Sequence, residues 1–285
     1  MIKPRLQDDA LLAEVEATKA ERPNFRLWWL SQSGFLLQFN SRHALLDPYL
    51  SDSLTTKYAQ TDKPHVRMTE RVIAPERLGF VDVVTSSHNH TDHFDPDTLK
   101  PLLAAKPALP IVLPEANRGA GAFRIGLSLK AANLIGVRAG DVKSAGGFTF
   151  NGIPAAHNEL EVDAAGNHKF LGYILQFGPW RVYHAGDTKL YEGMADWIRP
   201  FRVDVALLPI NGDKPERKVA GNLDGREAAQ LAKAIGARLA IPMHYDLFTF
   251  NTASPEEFVA ECAALGQPCR VLQAGERWSS AELTG

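Results

Sequence analysis

The sequence predicts a mixed α/β protein, and three observations predict it. Apolar runs with strand character come first in each half of the chain, while helical patterns are interleaved later. The stretch from Val81 runs as an apolar strand, VDVVTSS, into a polar loop and then a helical pattern, which is the order of an α/β unit. A composition of 45% hydrophobic and 22% charged residues is that of an ordinary globular core. The length of 285 residues leaves one large domain or two small ones open.

The elements follow in chain order. Residues 6–21 are rich in Ala, Leu and Glu, with Leu11, Leu12 and Val15 at helical spacing, so a helix is expected until Pro23 interrupts it. It is read as a helical extension, residues 1–22, preceding a main unit of residues 23–285. Antiparallel strands are expected at 25–30, 35–39 and 44–46, separated by Ser33-Gly34 and Asn40-Ser41. Residues 51–70 have too little apolar periodicity for an element and read as an insertion near the surface. After the strand at Val81 a helix is expected over 96–105. Further strands are expected at 111–113, 147–153, 171–177, 181–184, 203–209, 239–242 and 270–272, and helices at 190–198, 224–235 and 255–265. Asp224 is a good N-cap for the second of these helices, and Gly236 lies just past its end.

Charge and cysteine usage narrow the classes. A net charge of −2 offers no overall positive field for nucleic acid or an anionic membrane. No apolar run is long enough to span a bilayer, and the N-terminal residues carry acids where a secretory leader would be apolar, which points to the cytoplasm. Cys262 and Cys269 match no C-x-x-C pattern and read as free thiols in a reducing compartment.

The chemistry concentrates in His88-Asn89-His90-Thr91-Asp92-His93 at the end of the Val81 strand. Imidazole and carboxylate together suit zinc, manganese or iron. In an extended segment residues two apart share a face, so His88 and His90 converge on one ion, and a turn into the next helix directs Asp92 and His93 toward a second.

This H-x-H-x-D-H pattern resembles that of the metallo-β-lactamase superfamily. The resemblance implies three further ligands on later loops, and His157, Asp187 and His244 stand in that order, each after an apolar strand. It implies that His88, His90 and His157 hold one metal and Asp92, His93 and His244 a second, with Asp187 bridging. It also implies a four-layer αβ/βα sandwich with the metals at one edge. Two adjacent dications need a bridging anion, and a hydroxide in the other bridge is then the expected nucleophile, with Asp92 accepting or relaying a proton. All seven ligands are N or O donors, and no thiolate biases the choice between zinc and manganese; zinc is the expected metal and manganese the alternative.

Other residues enter with two readings each. His184 reads as a hydrogen-bonded residue behind the ligands rather than a ligand, and His43, His65 and His168 take ordinary explanations. Asp47 either orients a ligand imidazole or merely starts an Asp-Pro turn. Lys214 and Arg217 either meet a phosphorylated substrate or belong to a solvated charged loop, and Tyr245 either bonds substrate or does not reach it.

The segments WWLSQSGFLLQF, LLDPYLSD, YHAGDT and IPMHYDLFTFNTASPEEF resemble the branch that contains ascorbate-6-phosphate lactonase. That resemblance implies a lactone- or ester-opening hydrolase acting on a small, anionic or phosphorylated molecule. Kinship of this branch with N-acyl phosphatidylethanolamine phospholipase D supplies a phosphodiesterase as alternative, and a non-enzymatic metal-binding protein is the third reading. A homo-oligomer is compatible with each.

Overall fold

The computed structural model describes residues 1–283. In chain order the elements are α1 (Asp8–Thr18), β1 (Arg26–Trp29), β2 (Phe35–Phe39), β3 (Arg42–Leu46), α2 (Ser53–Tyr58), β4 (Val83–Thr85), α3 (Pro96–Ala105), β5 (Ile111–Pro114), α4 (Arg118–Ile125), β6 (Leu134–Val137), β7 (Val142–Ala145), β8 (Phe148–Pro154), β9 (Leu171–Phe177), β10 (Trp180–His184), α5 (Met194–Ile198), β11 (Val205–Pro209), α6 (Gly225–Ala234), β12 (Leu239–Met243), α7 (Glu256–Leu265) and β13 (Arg277–Ser279). A seven-stranded sheet has the order β13-β1-β2-β3-β4-β5-β6, and a six-stranded sheet the order β12-β11-β10-β9-β8-β7. Both are mixed, and helices flank the pair of sheets. One apolar cluster draws Leu27, Leu37, Leu45 and Val84 from the first sheet and Phe148, Ile174, Val182 and Leu207 from the second. Burying apolar area on this scale is the dominant force holding the layers together.

Strand direction decides where the loops gather. Because β8 and β10 are both antiparallel to β9, they run the same way, and β11 and β12 run parallel to β10. The C-terminal ends of β8, β10, β11 and β12 therefore lie along one edge of their sheet. In the other sheet β1 and β3 are both antiparallel to β2, and β4 is parallel to β3, so their C-terminal ends share an edge too.

Helix α1 is docked by polar contacts as well as by Leu11 and Val15. Its Thr18 hydroxyl donates to the Gln38 carbonyl oxygen at 3.0 Å, and the Gln38 amide donates to Val15 O at 2.8 Å. The same amide lies 3.0 Å from His43 Nε2, and Trp28 donates its indole N–H to Glu14 at 2.8 Å.

Several expectations need correction. Residues 270–272 form no strand; the chain there makes only an isolated bridge, Ala240 to Cys269, and the edge strand is β13 further on. The helix expected over 190–198 is confined to Met194–Ile198. Residues 51–70 are more than a surface insertion: they contain α2, whose Leu54 packs with Tyr49, Leu247 and Phe248 in a small second apolar cluster, and Arg67 bridges Phe248. Helix α4 escaped notice because RGAGAFRI carries two glycines, which disfavour helix. Packing overrides that preference: a Cβ on Gly121 would stand 3.0 Å from both Leu113 and Phe94, so glycine lets α4 approach without displacing these side chains. No helix among the described residues is long and apolar enough to cross a membrane.

His43 gives the fold a pH dependence. Burial outweighs the nearby Asp82 carboxylate and pulls its imidazole down to about 4. A neutral buried imidazole stabilises the fold above the unfolded value of about 6.5, and that stability is lost as pH falls toward 4. Urea unfolding at pH 7 and pH 4.5 is expected to show wild type losing about 2 kcal/mol more than His43→Leu. Equal losses in the two proteins would show that His43 takes up no excess proton on unfolding.

Candidate metal centre

The two aligned edges deliver the polar loops to one place. Two groups of potential ligands result: His88, His90 and His157; and Asp92, His93, Asp187 and His244, with the donor atoms of each group within 4.8 Å of one another. Asp187 Oδ2 is 3.5 Å from His157 Nε2 and 3.4 Å from His244 Nε2, so this carboxylate faces both groups. His93 Nε2 lies 3.2 Å from Asp187 Oδ1, and His244 Nε2 lies 3.4 Å from Asp92 Oδ2. The structure thus brings together all seven residues singled out in the sequence.

In His157, His93 and His88 the outer ring nitrogen is engaged elsewhere, which aims the inner one. His157 Nδ1 donates to the Gly221 carbonyl at 2.8 Å, and a carbonyl can only accept, so Nε2 is the nitrogen turned toward the site. His93 Nδ1 donates to Asp47 Oδ2 at 2.8 Å, while Ser87 Oγ sits 3.0 Å from His88 Nδ1. Gln32 donates to Asp92 Oδ2 at 2.9 Å and lies 3.0 Å from His244 Nε2.

Whether metal fits can be judged from what these groups lack. His88 Nε2, His93 Nε2 and Asp187 Oδ1 are buried and, although the last two stand 3.2 Å apart, none makes a hydrogen bond of good geometry. Buried polar atoms without partners are rare and costly, and three of them converging from opposite loops are satisfied by a cation accepting their lone pairs. The electrostatics agree. Burial drives the His88 imidazole well below its ordinary value, reinforced by His93 and His90, so it is a neutral donor. Burial would raise Asp187, but the facing His93, His244 and His157 hold it well below the usual carboxylate range. Burial likewise opposes charge on His93 and His244, and the Asp187 and Asp92 carboxylates reverse it, lifting His93 well above its ordinary value and His244 to about 9. Protons on these two rings occupy the charge that a cation supplies.

Supporting residues stand behind the ligands. Asp47 also accepts from the Ser87 backbone N–H at 3.0 Å and from Thr85 Oγ1 at 2.9 Å, so it ties the ends of β3 and β4 together. His184 is not among the ligand groups: its Nε2 donates to Ser33 O at 2.8 Å, and its Nδ1 accepts from Gly186 N at 3.3 Å, propping the turn that carries Asp187. Gly186 itself has φ +62°, and a Cβ there would meet Ser87 Cβ at 2.5 Å. His244 also sits in the left-handed region, at φ +66°.

Above the ligands lies a cavity of about 580 Å³, lined among others by His90, Asp92, His157, Asp187, Gln32 and Arg124. Its cationic lining is Lys57, Lys63 and Arg124, which corrects the expectation for the 211–218 loop. Lys214 does not line it, and Arg217 is occupied as a loop staple, donating to Asn211 O at 2.6 Å, Asn251 Oδ1 at 3.0 Å and Thr252 O at 2.7 Å. Tyr245 is turned into the core, its hydroxyl donating to Leu272 O at 2.5 Å and its ring stacked on Trp29 at 4.4 Å. The sequence reading missed Gln32, Arg124, Phe170 and His65. The Gln32 turn was at least marked by WWLSQSG, but no signal identified Arg124, which belongs to an unrecognised helix. Phe170 packs its ring 5.2–5.5 Å from those of His88 and His157.

Two packed mixed sheets with histidine and aspartate ligands at their strand ends define the metallo-β-lactamase fold class. Residues 42–245 match the beta-lactamase superfamily domain, and the chain belongs to that superfamily. Among its relatives, a UPF0173 metal-dependent hydrolase of Opitutus terrae is 31% identical, over 88% of this chain and 98% of that one. Another of that name from Aeropyrum pernix is 29% identical, over 89% and 96%. The fold is shared with Igni18, a metallo hydrolase from Ignicoccus hospitalis, at TM-score 0.65 and 23% identity over 90% of this chain and 98% of that one. It is shared also with the metallo-beta-lactamase fold protein YhfI from Bacillus subtilis, at TM-score 0.63 and 19% identity over 91% and 100%.

Two substitutions probe the supports. Asp47→Asn is expected to weaken metal affinity about 10–100-fold in competition with a chromogenic chelator, because His93 loses its orienting carboxylate. Unchanged affinity would remove Asp47 from the site. Gly186→Ala is expected to destabilise by about 1–3 kcal/mol through its backbone conformation alone, with further cost from the Ser87 contact and loss of bound metal. A variant with wild-type Tm and metal content would refute the close packing at this turn.

Proposed function

We propose that this protein, a metal-dependent hydrolase of the metallo-β-lactamase superfamily, opens a lactone or carboxylic ester of a small anionic molecule, using two divalent ions, zinc in the first place and manganese as the alternative. One observation carries this: two facing ligand groups leave buried nitrogen and oxygen atoms unpartnered at the floor of a cavity large enough for a small substrate. His88, His90 and His157 would hold one ion and Asp92, His93 and His244 the other, with Asp187 between them. When bound, such ions supply Lewis acidity toward a carbonyl oxygen and acidify water.

The chain's own residues supply the rest. Asp92 is held ionised: burial would raise it, but His93 and the His244 hydrogen bond keep it well below the usual carboxylate range. It is therefore an acceptor at neutral pH, and its contact with Gln32 fixes the oxygen that takes a proton from the attacking water. Leu54 and Phe248 give the cavity apolar walls that limit water. The three cations at its lining also favour a phosphoryl-bearing substrate, so a phosphodiester is the second reading.

Metal analysis followed by assays on lactones, carboxylic esters and phosphodiesters tests both. Chelation is expected to abolish turnover and added zinc or manganese to restore it, while His90→Ala and Asp187→Ala lose metal and at least about a hundredfold in kcat/KM. Faster turnover of phosphodiesters than of lactones or esters would favour the second reading. Full hydrolysis and metal content in both variants would overturn the ligand assignment.

A further inference from the structure

Arg124 lies on α4, half-buried in the cavity wall, and takes no part in holding metal. Its Nη1 donates to the Asn89 carbonyl at 2.5 Å and to Asn89 Oδ1 at 2.7 Å, and its Nη2 to Thr91 Oγ1 at 3.2 Å. The guanidinium carbon stands 5.5 Å from the centre of the Phe94 ring. Asn89 and Thr91 alternate with the ligands His88, His90 and Asp92, so the loop presents ligands with one set of side chains and grips the arginine with the other.

All of these partners are neutral. Arg124 makes no ion pair among the described residues, whereas Arg118, on the same helix, pairs with Glu115 at 3.0 Å. A guanidinium has five N–H donors and stays charged. Three are used here, and among the described residues the Nε–H and the second Nη2 hydrogen have no protein acceptor. The other cations of the cavity are placed differently: Lys57 lies over the Tyr58 ring, and Lys63 donates to the Lys218 carbonyl. Both are flexible ammonium groups that must be ordered to bind, while the Arg124 fork is already fixed by three bonds. A rigid, half-buried cation with free parallel donors and no carboxylate in ion-pair contact, beside a hydrolytic site, has the geometry for a planar or tetrahedral oxyanion.

We infer that Arg124 anchors an anionic oxyacid group, carboxylate or phosphate, carried by the substrate. This rests on the hydrolase reading and deepens it: the molecule opened at the metals is an ester or lactone that bears a separate oxyanion, and Arg124 selects for it. Arg124 is a specificity-determining residue, since it touches the substrate's charged group and leaves the reacting atoms to the metal side of the cavity.

The competing role is structural, a staple that only holds the metal loop. Two esters differing only in a terminal carboxylate against a carboxamide separate the roles, with metal-loaded wild type, Arg124→Lys and Arg124→Ala. Arg124→Ala is expected to raise KM for the carboxylate ester about tenfold or more, with little change in kcat, as removal of a charge-assisted pair does. Arg124→Lys should fall between, because it keeps the charge without the fork. The carboxamide ester should be affected no more than about twofold and metal content should not change. Equal losses on the two esters, or loss of metal in Arg124→Ala, would make Arg124 a staple and overturn the inference. If wild type turns over neither ester, nor any lactone, the ester-and-lactone reading fails instead. Arg124 is then judged by calorimetric titration with inorganic phosphate: about tenfold weaker binding to Arg124→Ala supports the anchor, and equal binding overturns it.

Discussion

The buried carboxylate of Asp47 is the contact on which the site depends. It stands at the end of β3, fully withdrawn from solvent, and accepts from the His93 ring, the Ser87 backbone and the Thr85 hydroxyl. Burial alone would raise its pKa, but the neighbouring His184 and His93 rings and the His93 hydrogen bond hold it below the ordinary value, so it remains an anion. A charge in that position is tolerable only because every direction around it offers a donor. The bonds fix the first residues after β4, and with them the start of the loop that carries four of the seven candidate ligands. The residue adopts φ +37°, a conformation that the donors around it must hold in place.

From that anchor the site is assembled by opposition. The first sheet contributes the loop of His88 to His93, and the second contributes His157, Asp187 and His244 from the ends of β8, β10 and β12. Neither sheet alone can surround an ion. The two carboxylates and five imidazoles are packed too closely for all to keep ordinary protonation, and the structure shows the consequence. His88 is pushed to the neutral form, while His93 and His244 are held charged by Asp187 and Asp92. Three inward atoms remain unpartnered. This is the arrangement of a site able to bind metal. The roof has a separate origin: α2 and the segment around Phe248 form their own small apolar cluster, so this part of the cavity wall is packed apart from the main core.

Much of this was legible in the sequence. The spacing of His88, His90, Asp92 and His93 after an apolar strand displays metal chemistry locally, because alternation along an extended chain sets which side chains can converge. The strand ends at His157, Asp187 and His244 were legible through their resemblance to a known pattern. Helix α4 was not, because its glycines serve close packing against Leu113 and Phe94, and that demand has no local trace. The same holds for Arg217 and Tyr245: each sits next to chemistry in the sequence, yet the chain turns Arg217 toward Asn251 and Tyr245 toward Leu272.

The sequence by itself determined the kind of chemistry, the order of the ligands and the α/β character, because these follow from residue type, short spacing and apolar period. Tertiary structure alone decided that Asp187 faces both ligand groups, that Asp47 and His184 hold the site from behind, and that Arg124 rather than Lys214 supplies a fixed cation to the cavity. Those facts depend on strand direction and on which buried groups find partners across sheets, and residues far apart in the chain carry no record of either until it folds.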